Sequence, residues 1–229
     1  MGNWMRAIMR LFTESKIMAG YICWDDTGWI GRVRPLLRGS GVVVSPTDTV
    51  PGLLALATPA GAMALDQVKD RSRGKPYLVL VGSRQQAYEL MDEQKVAKNP
   101  AIKTLMERCW PGPLTLIVPA HPSVPSSITL NGFIAIRMPD HAQLRELALA
   151  VGPLFSTSAN KEGEPTPRCM DEVDEALRVQ ATAVISGAMQ LGCNARPSTI
   201  LECTGEVIRL VRAGAYSLDQ LVDIVPIST

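Results

Sequence analysis

The sequence predicts a single α/β domain built on an open, twisted sheet of mixed strand direction. Segments of strand type and of helix type are interspersed along most of the 229 residues, a mixture typical of α/β proteins. The chain contains no internal repeat and no low-complexity linker, and its length suits one large domain. We place this domain at residues 29–229 and interpret residues 1–28 as an N-terminal extension that could be flexible.

Helices are predicted where apolar residues recur at three- and four-residue spacing. The first is followed by Gly39, Ser40 and Gly41, and glycine commonly terminates a helix. The predicted helices span residues 29–38, 60–70, 85–91, 100–109, 142–151, 171–180 and 218–223.

Strands are predicted where a short apolar or β-branched run is bounded by turn residues. Residues 77–81 are apolar at every position, which predicts a strand buried on both faces. Ligands of open α/β sheets usually bind beyond the strand ends, so we expect the site in the loops that follow the strands. The predicted strands span residues 42–45, 77–81, 114–118, 133–137, 154–156, 182–186, 198–202 and 207–211.

Charge and cysteine usage exclude several classes of protein. The net charge is +1, whereas a general nucleic-acid-binding protein usually has a larger cationic excess. The five cysteines are odd in number, widely spaced and form no C-x-x-C pair, which predicts reduced, cytosolic thiols and no zinc site. His121 and His141 form no metal-binding pattern, so no metal site made by the protein alone is expected. No apolar stretch is long enough to span a bilayer.

Four segments place polar or cationic residues beside apolar strands. In residues 45–53, the Thr47 and Thr49 hydroxyls and the Asp48 carboxylate could bind a polar ligand. A turn stabilised by side-chain capping explains the same residues, and composition alone favours the turn. Residues 69–76 contain four cations, which could bind phosphates. A solvated helix end explains those cations equally well.

The third and fourth segments add hydroxyls, an amide and another guanidinium. Residues 154–160 end a hydrophobic strand in Ser, Thr, Ser and Asn; these side chains could cap a helix or line a nucleotide pocket. Residues 197–200 and 210–215 could bring Ser198 and Arg212 to the same pocket, or form an ordinary strand and turn. The sequence contains no P-loop, so side-chain cations would have to hold any ATP.

Taken together and in order, these segments resemble the YrdC/TsaC family of threonylcarbamoyl-AMP synthases. Each match alone is weak, but eight in register between about residues 37 and 221 are specific. The matching segments are residues 46–53 (P-T-D-T-V-P-G-L), 69–71 (K-D-R), 75–76 (K-P), 110–115 (W-P-G-P-L-T), 135–137 (A-I-R), 158–160 (S-A-N), 198–200 (S-T-I) and 211–214 (V-R-A-G).

The resemblance implies an open α/β domain around a large cationic cavity, and a nucleotidyltransferase. The implied reaction converts L-threonine, bicarbonate and ATP into threonylcarbamoyl-AMP and pyrophosphate, with Mg²⁺ expected on the phosphates. Partner proteins in the cytoplasm would transfer the product to tRNA, which the enzyme itself could bind weakly. No membrane partner is implied.

The resemblance also assigns the site residues to two groups. Lys69 and Arg71 are the expected catalytic residues, and Arg137 is expected to pair with the carboxylate of threonine. The ATP-binding group is Lys69, Arg71, Lys75, Thr115, Ser158, Asn160 and Arg212. The threonine-binding group is Thr47, Arg137 and Ser198.

Three positions depart from the family pattern. Pro51 stands where Tyr is usual, so one wall of the threonine pocket is expected to differ. Leu80 stands where some members carry His. Glu164 replaces an Arg found in some members, which would weaken one contact with the nucleotide.

Two other functions remain open at this point. An RNA-binding maturation factor could use the same cationic cavity without catalysis, although the low net charge and 5% aromatic content count against it. Carbamoyl-transfer enzymes that make carbamoyl-adenylate contain the same type of domain, but they are much larger. Since this chain ends soon after residues 211–214, we expect the short, single-domain type.

Overall fold

The computed structural model describes residues 20–70, 76–187 and 195–228. In these residues eleven strands form one sheet of mixed direction. The strands are β1 (Tyr21–Cys23), β2 (Val43–Ser45), β3 (Gly52–Leu56), β4 (Leu78–Leu80), β5 (Leu114–Pro119), β6 (Phe133–Arg137), β7 (Leu154–Ser158), β8 (Ala183–Ser186), β9 (Thr199–Glu202), β10 (Ile208–Arg212) and β11 (Ile227–Ser228).

Helices connect many of these strands. Two short 3₁₀ helices, Ser126–Ile128 and Met170–Glu172, lie in the longer loops. The α-helices of the described residues are α1 (Trp29–Arg38), α2 (Pro59–Lys69), α3 (Arg84–Leu90), α4 (Glu93–Val96), α5 (Pro100–Cys109), α6 (Ala142–Val151), α7 (Glu175–Gln180) and α8 (Leu218–Val222).

The strands follow the order β1-β8-β2-β3-β7-β4-β6-β5-β9-β10-β11 across the sheet. Strand β7 pairs antiparallel with both neighbours, while β4 and β6 are parallel and β5 and β6 antiparallel. The sheet is therefore mixed and open, as the sequence predicts.

The sheet separates two hydrophobic cores, because successive side chains of a strand point to opposite faces. In β3, Leu53 belongs to the larger core and Leu54 to the smaller one. In β7, Phe155 belongs to the larger core and Leu154 to the smaller one. Helices α2, α3 and α5 supply apolar side chains to the larger core, and α1 and α6 supply them to the smaller core.

Local sequence explains where two of the helices begin. Thr58 caps α2 by accepting a hydrogen bond from the backbone N–H of Gly61 at 3.1 Å, and Pro59 is the first helical residue. Asn99 caps α5 in the same way, and Pro100 follows it. Both pairs combine a preferred capping residue with a proline whose fixed φ suits the first helical position.

The predicted bounds of α1, α5, α6 and β6 agree with the structure, but three strands were not predicted. Strand β3 has the sequence Gly-Leu-Leu-Ala-Leu, which lacks β-branched residues; its pairing with β2 and β7 makes it a strand. Strands β1 and β11, of three and two residues, lie at the two edges of the sheet. They are too short to give a periodic pattern.

One sequence-based expectation needs correction, and another stays a prediction. The domain boundary at residue 29 stays a prediction; before it, β1 pairs with β8, and Ile22 and Trp24 are buried in the smaller core. Residues 1–19 of the predicted extension lie outside the described residues. Cys169 is disulfide-bonded, so the expectation of five reduced thiols is wrong for this residue. Spacing along the chain is a poor guide to which cysteines meet in the fold.

No helix in the described part of the chain is both long and apolar enough to cross a membrane.

Candidate active site

A cavity of about 310 Å³ lies on one face of the sheet, over seven strands that are adjacent in it. This face is also the one that carries the smaller core, since Gly52 lies two residues from Leu54 and Ser156 lies two residues from Leu154. Large apolar side chains fill this face beneath α1 and α6. Beyond them many of the side chains are small or polar, among them Gly52, Ala135 and Ser156, and a hollow remains.

The pairing register explains how residues distant in sequence meet at this cavity. Gly52 lies opposite Ser158, and Ile117 lies opposite Ala135. Ile200 lies opposite both Thr115 and Arg212, on the strands at either side of it. All of these residues line the cavity. The expectation of a site beyond the strand ends is therefore wrong in part, because much of this site lies on the strands.

Arg137, at the end of β6, is 2% exposed and forms an ion pair with Asp48. Its Nη1 donates to Asp48 Oδ1 at 2.7 Å, and the other carboxylate oxygen accepts from the backbone N–H of Asp140 at 2.9 Å. The side chain of Asp48 is 6% exposed. A buried charge of this kind is strongly destabilising when its partner is removed.

Ser198 connects β5 with β10 through a group of buried and partly buried hydrogen bonds. Its hydroxyl lies 2.8 Å from the hydroxyl of Thr115 and accepts from Arg212 Nη2 at 3.2 Å. Nε and Nη2 of Arg212 also donate to the Ser198 carbonyl oxygen, at 3.1 and 2.9 Å. Burial, and then the positive charge of Arg137, lowers the pKa of the Arg212 guanidinium, which nevertheless stays protonated.

Close packing of the backbone explains why the V-R-A-G segment has a glycine at position 214. A Cβ there would lie 2.3 Å from the carbonyl oxygen of Pro197 and 2.4 Å from the carbonyl carbon of Ser198. The neighbouring Ala215 donates its backbone N–H to the same Pro197 oxygen at 2.8 Å. The chain after β10 therefore packs directly against the backbone that presents Ser198, and only glycine fits there.

Lys69, Ser158 and Asn160 meet beside the cavity. Lys69, the last residue of α2, is 5% exposed, and its Nζ donates to the Ser158 carbonyl oxygen at 2.8 Å and to Asn160 Oδ1 at 3.4 Å. The Ser158 hydroxyl also donates to Asn160 Oδ1, at 2.5 Å. Ser158 lines the cavity. The amide of Asn160 is oriented by the carbonyl oxygen of Glu164, which accepts from Nδ2 at 2.7 Å.

Thr47 lies in the loop between β2 and β3 and lines the cavity with Thr49. Its hydroxyl donates to the Val50 carbonyl oxygen at 2.8 Å and accepts from the Thr49 backbone N–H at 3.0 Å. The turn and the ligand pocket, which composition left as alternatives, therefore involve the same residues: the hydroxyl holds the turn, and the turn forms part of the wall.

Not every residue singled out from the sequence lies on the cavity wall. Arg71 and Lys75 are outside the described residues. Pro51 borders a separate small hollow with Arg168 and Met170, and Leu80 is buried in the smaller core. The main cavity also contains residues that sequence reasoning did not select, among them Tyr77, Ala135, Ser156 and Thr166. Strand alternation around Arg137 and Ser158 could have identified Ala135 and Ser156.

The arrangement suits a ligand that carries oxygen and negative charge. Two of the described cavity-lining residues, Arg137 and Arg212, are cationic, and none is acidic. Eight serine and threonine residues of the described chain, among them Thr47, Thr115, Ser158 and Ser198, line the same cavity. Fold and site together define an α/β protein with a cavity whose wall carries two guanidinium groups and several hydroxyls.

Comparison with known proteins identifies the family. The sequence model of the Sua5/YciO/YrdC family, described as "Telomere recombination", matches residues 35–214. A threonylcarbamoyl-AMP synthase of Bacillus subtilis (strain 168) is 35% identical over 199 residues, which cover 84% of this chain and 55% of the relative. A threonylcarbamoyl-AMP synthase of Pseudomonas fluorescens (strain Pf0-1) is 35% identical over 178 residues, which cover 76% of this chain and 92% of the relative.

A solved structure agrees with these matches. The crystal structure of P. abyssi Sua5 complexed with L-threonine superimposes with a TM-score of 0.79 at 28% identity, covering 91% of this chain and 62% of Sua5. The chain thus spans little more than half of the B. subtilis relative and less than two thirds of Sua5, but nearly all of the P. fluorescens relative. The chain belongs to the Sua5/YciO/YrdC family.

Proposed function

We propose that this protein is an enzyme, a threonylcarbamoyl-AMP synthase, which makes L-threonylcarbamoyl-AMP and pyrophosphate from L-threonine, bicarbonate and ATP. The observation that carries the proposal is the match to the P. fluorescens threonylcarbamoyl-AMP synthase, which extends over 92% of that protein. The likeness to a Sua5 structure that contains L-threonine supports the choice of amino acid.

In this proposal Arg137, Thr47 and Ser198 bind L-threonine. A guanidinium binds a carboxylate through two parallel hydrogen bonds, and Arg137 lines the cavity. The hydroxyls of Thr47 and Ser198 lie on the same wall. A site that hydrogen-bonds the hydroxyl of its substrate rejects analogues that lack it, because its own buried polar groups would lose their partners. Valine should therefore be a poor substrate.

The nucleotide is assigned to the polar group beside the cavity. Lys69, Ser158 and Asn160 are within hydrogen-bonding distance of one another, which supports a shared role in holding phosphates. Thr115 and Arg212 complete the nucleotide contacts from β5 and β10. Arg71 and Lys75 are assigned to ATP by the family pattern alone, and Lys69 and Arg71 are the proposed catalytic residues.

The proposed reaction needs no covalent intermediate on the protein. The neutral amine of threonine first takes up carbon dioxide from bicarbonate to give a carbamate; the proton that the amine loses and the hydroxyl that bicarbonate loses leave as water. A carbamate oxygen then attacks the α-phosphate of ATP, and the bond from the α-phosphorus to the bridging oxygen breaks to release pyrophosphate. The protein contributes by holding the two substrates in line and by placing cations near the charge that develops.

The cavity is accordingly proposed to be a large cationic one that holds both substrates. The described residues of its wall offer no carboxylate, the ligand that Mg²⁺ usually takes from a protein. A magnesium ion would arrive with the substrate, bound by the phosphates of ATP. The product would pass to proteins that transfer the threonylcarbamoyl group to tRNA, so we place the enzyme in the cytoplasm.

Pyrophosphate release tests the proposed function. The purified protein is incubated with ATP, bicarbonate and magnesium, and with threonine, serine or valine. We expect release that depends on both bicarbonate and the amino acid, with threonine preferred. An RNA-binding factor would instead bind RNA in a salt-dependent manner and release no pyrophosphate under any of these conditions.

A further inference from the structure

Asp48 holds one side of the Arg137 guanidinium, and the other side has no acceptor among the described residues. Among the described residues, Asp48 Oδ1 engages Nη1 of Arg137, at 2.7 Å, and no hydrogen bond from its other two nitrogens is seen. No described residue accepts a hydrogen bond from Nη2, and Nε is buried without a hydrogen-bond partner. The side of the guanidinium that carries Nε and Nη2 is therefore left without a protein acceptor among the described residues.

That side of the guanidinium offers both of the N–H donors that a carboxylate needs for two parallel hydrogen bonds. Nε–H and the adjacent Nη2–H point in the same direction from the planar group, as two parallel donors. Arg212 demonstrates this geometry in the same cavity, because its Nε and Nη2 both donate to the Ser198 carbonyl oxygen. An arginine held at Nη1 can thus still bind a carboxylate with two hydrogen bonds.

Asp48 is itself firmly placed. It lies in the loop between β2 and β3, and its second carboxylate oxygen accepts from the backbone N–H of Asp140, just before α6. Its side chain is 6% exposed, and that of Arg137 is 2% exposed. One carboxylate therefore fixes the guanidinium relative to two loops, without itself lining the cavity.

We propose that Asp48 is a positioning residue, which orients Arg137 so that its Nε–Nη2 side faces the carboxylate of the amino-acid substrate. The inference rests on the proposed function, since it assumes that the cavity binds an amino acid. Asp48 also neutralises the charge of Arg137, so binding would depend on the orientation of the fork more than on net positive charge. The expected loss on changing Asp48 is thus a loss of affinity for the amino acid, although Asp48 does not touch it.

The test compares Asp48→Asn with Asp140→Asn in the full-length protein. Asp48→Asn keeps the size of the side chain, but an amide has only one oxygen for the two donors that Asp48 now accepts from. Asp140→Asn removes an equal charge from the same region and keeps the Asp140 backbone N–H that holds Asp48. KM for threonine and KM for ATP are measured for both variants, and L-threonine binding is measured by calorimetry without ATP.

We expect Asp48→Asn to raise KM for threonine and weaken threonine binding by about tenfold or more. KM for ATP should change by less than about threefold, and Asp140→Asn should resemble the wild type. Unchanged threonine binding in Asp48→Asn, or equal changes in both KM values, would overturn the inference. So would an equal effect of Asp140→Asn. If the wild type neither binds nor uses threonine, the proposed function itself is wrong. If the wild type uses threonine and only the variants disagree with these expectations, the inference about Asp48 alone is wrong.

A double variant covers the case in which Asp48→Asn alone does not fold. Arg137→Gln combined with Asp48→Asn removes both charges, so no unpaired charge remains buried. If Asp48 acts through Arg137, this double variant and Arg137→Gln alone should have the same affinity for threonine. A further loss in the double variant would overturn the inference, because Asp48 would then act independently of Arg137.

Discussion

Lys69 donates a hydrogen bond from Nζ to the backbone carbonyl oxygen of Ser158 at 2.8 Å, across 89 positions of the sequence. The contact joins the end of α2 to the end of β7 and places a buried ammonium group beside the cavity. Lysine is almost never fully buried unless it is paired, and the Nζ of Lys69 is held by oxygens of Ser158 and Asn160. In the proposed function the phosphates of the nucleotide bind beside this group.

Lys69→Ala is expected to lower kcat/KM for pyrophosphate release by about 10²–10³-fold, the usual effect of losing one group that stabilises developing charge. Lys103→Ala is the matched control, because Lys103 is 69% exposed and pairs only loosely with Glu107, at 3.8 Å. Circular dichroism establishes whether both variants are folded. Normal turnover in a folded Lys69→Ala protein would remove Lys69 from the active site.

The hydroxyl pair of Thr115 and Ser198, 2.8 Å apart, can be tested by a double-mutant cycle. Thr115→Val, Ser198→Ala and the double variant are unfolded in urea. Each single change should cost about 1–3 kcal/mol, because it leaves the other buried hydroxyl with one partner fewer, and the double change should cost less than the sum. Strict additivity would mean that the two hydroxyls do not stabilise each other.

The class of fold was predictable because it depends on local patterns. Apolar runs and helix periods gave the bounds of α6 and β6 without error, since both elements carry their own signals. Strand β3 has no such signal and exists because β2 and β7 pair with it on either side. No single stretch of the sequence shows that β3 will pair with β2 and β7.

The candidate site was predictable as a set of segments and not as a geometry. The family pattern selected Arg137 and Ser198, and both line the cavity. Loop-based reasoning placed the ligand beyond the strand ends, whereas Thr115 and Arg137 lie on the strands themselves. The ion pair between Arg137 and Asp48 joins residues 89 positions apart, and spacing along the chain gave no indication of it.

The buried His141 is expected to make stability depend on pH. Burial lowers the pKa of His141 below the usual 6.5; the charge of Asp48 opposes this effect, and Arg145 and Arg137 add to it. The unfolded chain therefore takes up a proton near pH 6.5 that the folded protein does not. The free energy of unfolding should be fully maintained above pH 6.5 and fall below it, by up to about 1.4 kcal/mol per pH unit.

Urea unfolding between pH 7.5 and about 5.5 measures that slope. His141 caps α6 by accepting the Leu144 backbone N–H at 3.3 Å, so His141→Asn keeps a good capping group while removing the titration. The variant should show a flatter dependence on pH. His121→Asn, at an exposed position, keeps His141 and should keep the slope. Equal slopes for the wild type and His141→Asn would show that another group titrates.

Gly214→Ala should damage the site by a purely steric route. The added Cβ would lie 2.3 Å from the Pro197 carbonyl oxygen, so the backbone that carries Ser198 must move. We expect a loss of about 1–3 kcal/mol in the free energy of unfolding, as for other overpacked positions, together with a raised KM for threonine. Gly205→Ala is the matched control, because a Cβ there meets nothing within 4 Å. A Gly214→Ala protein with the stability and KM of Gly205→Ala would mean that the close approach of the chain after β10 does not position Ser198.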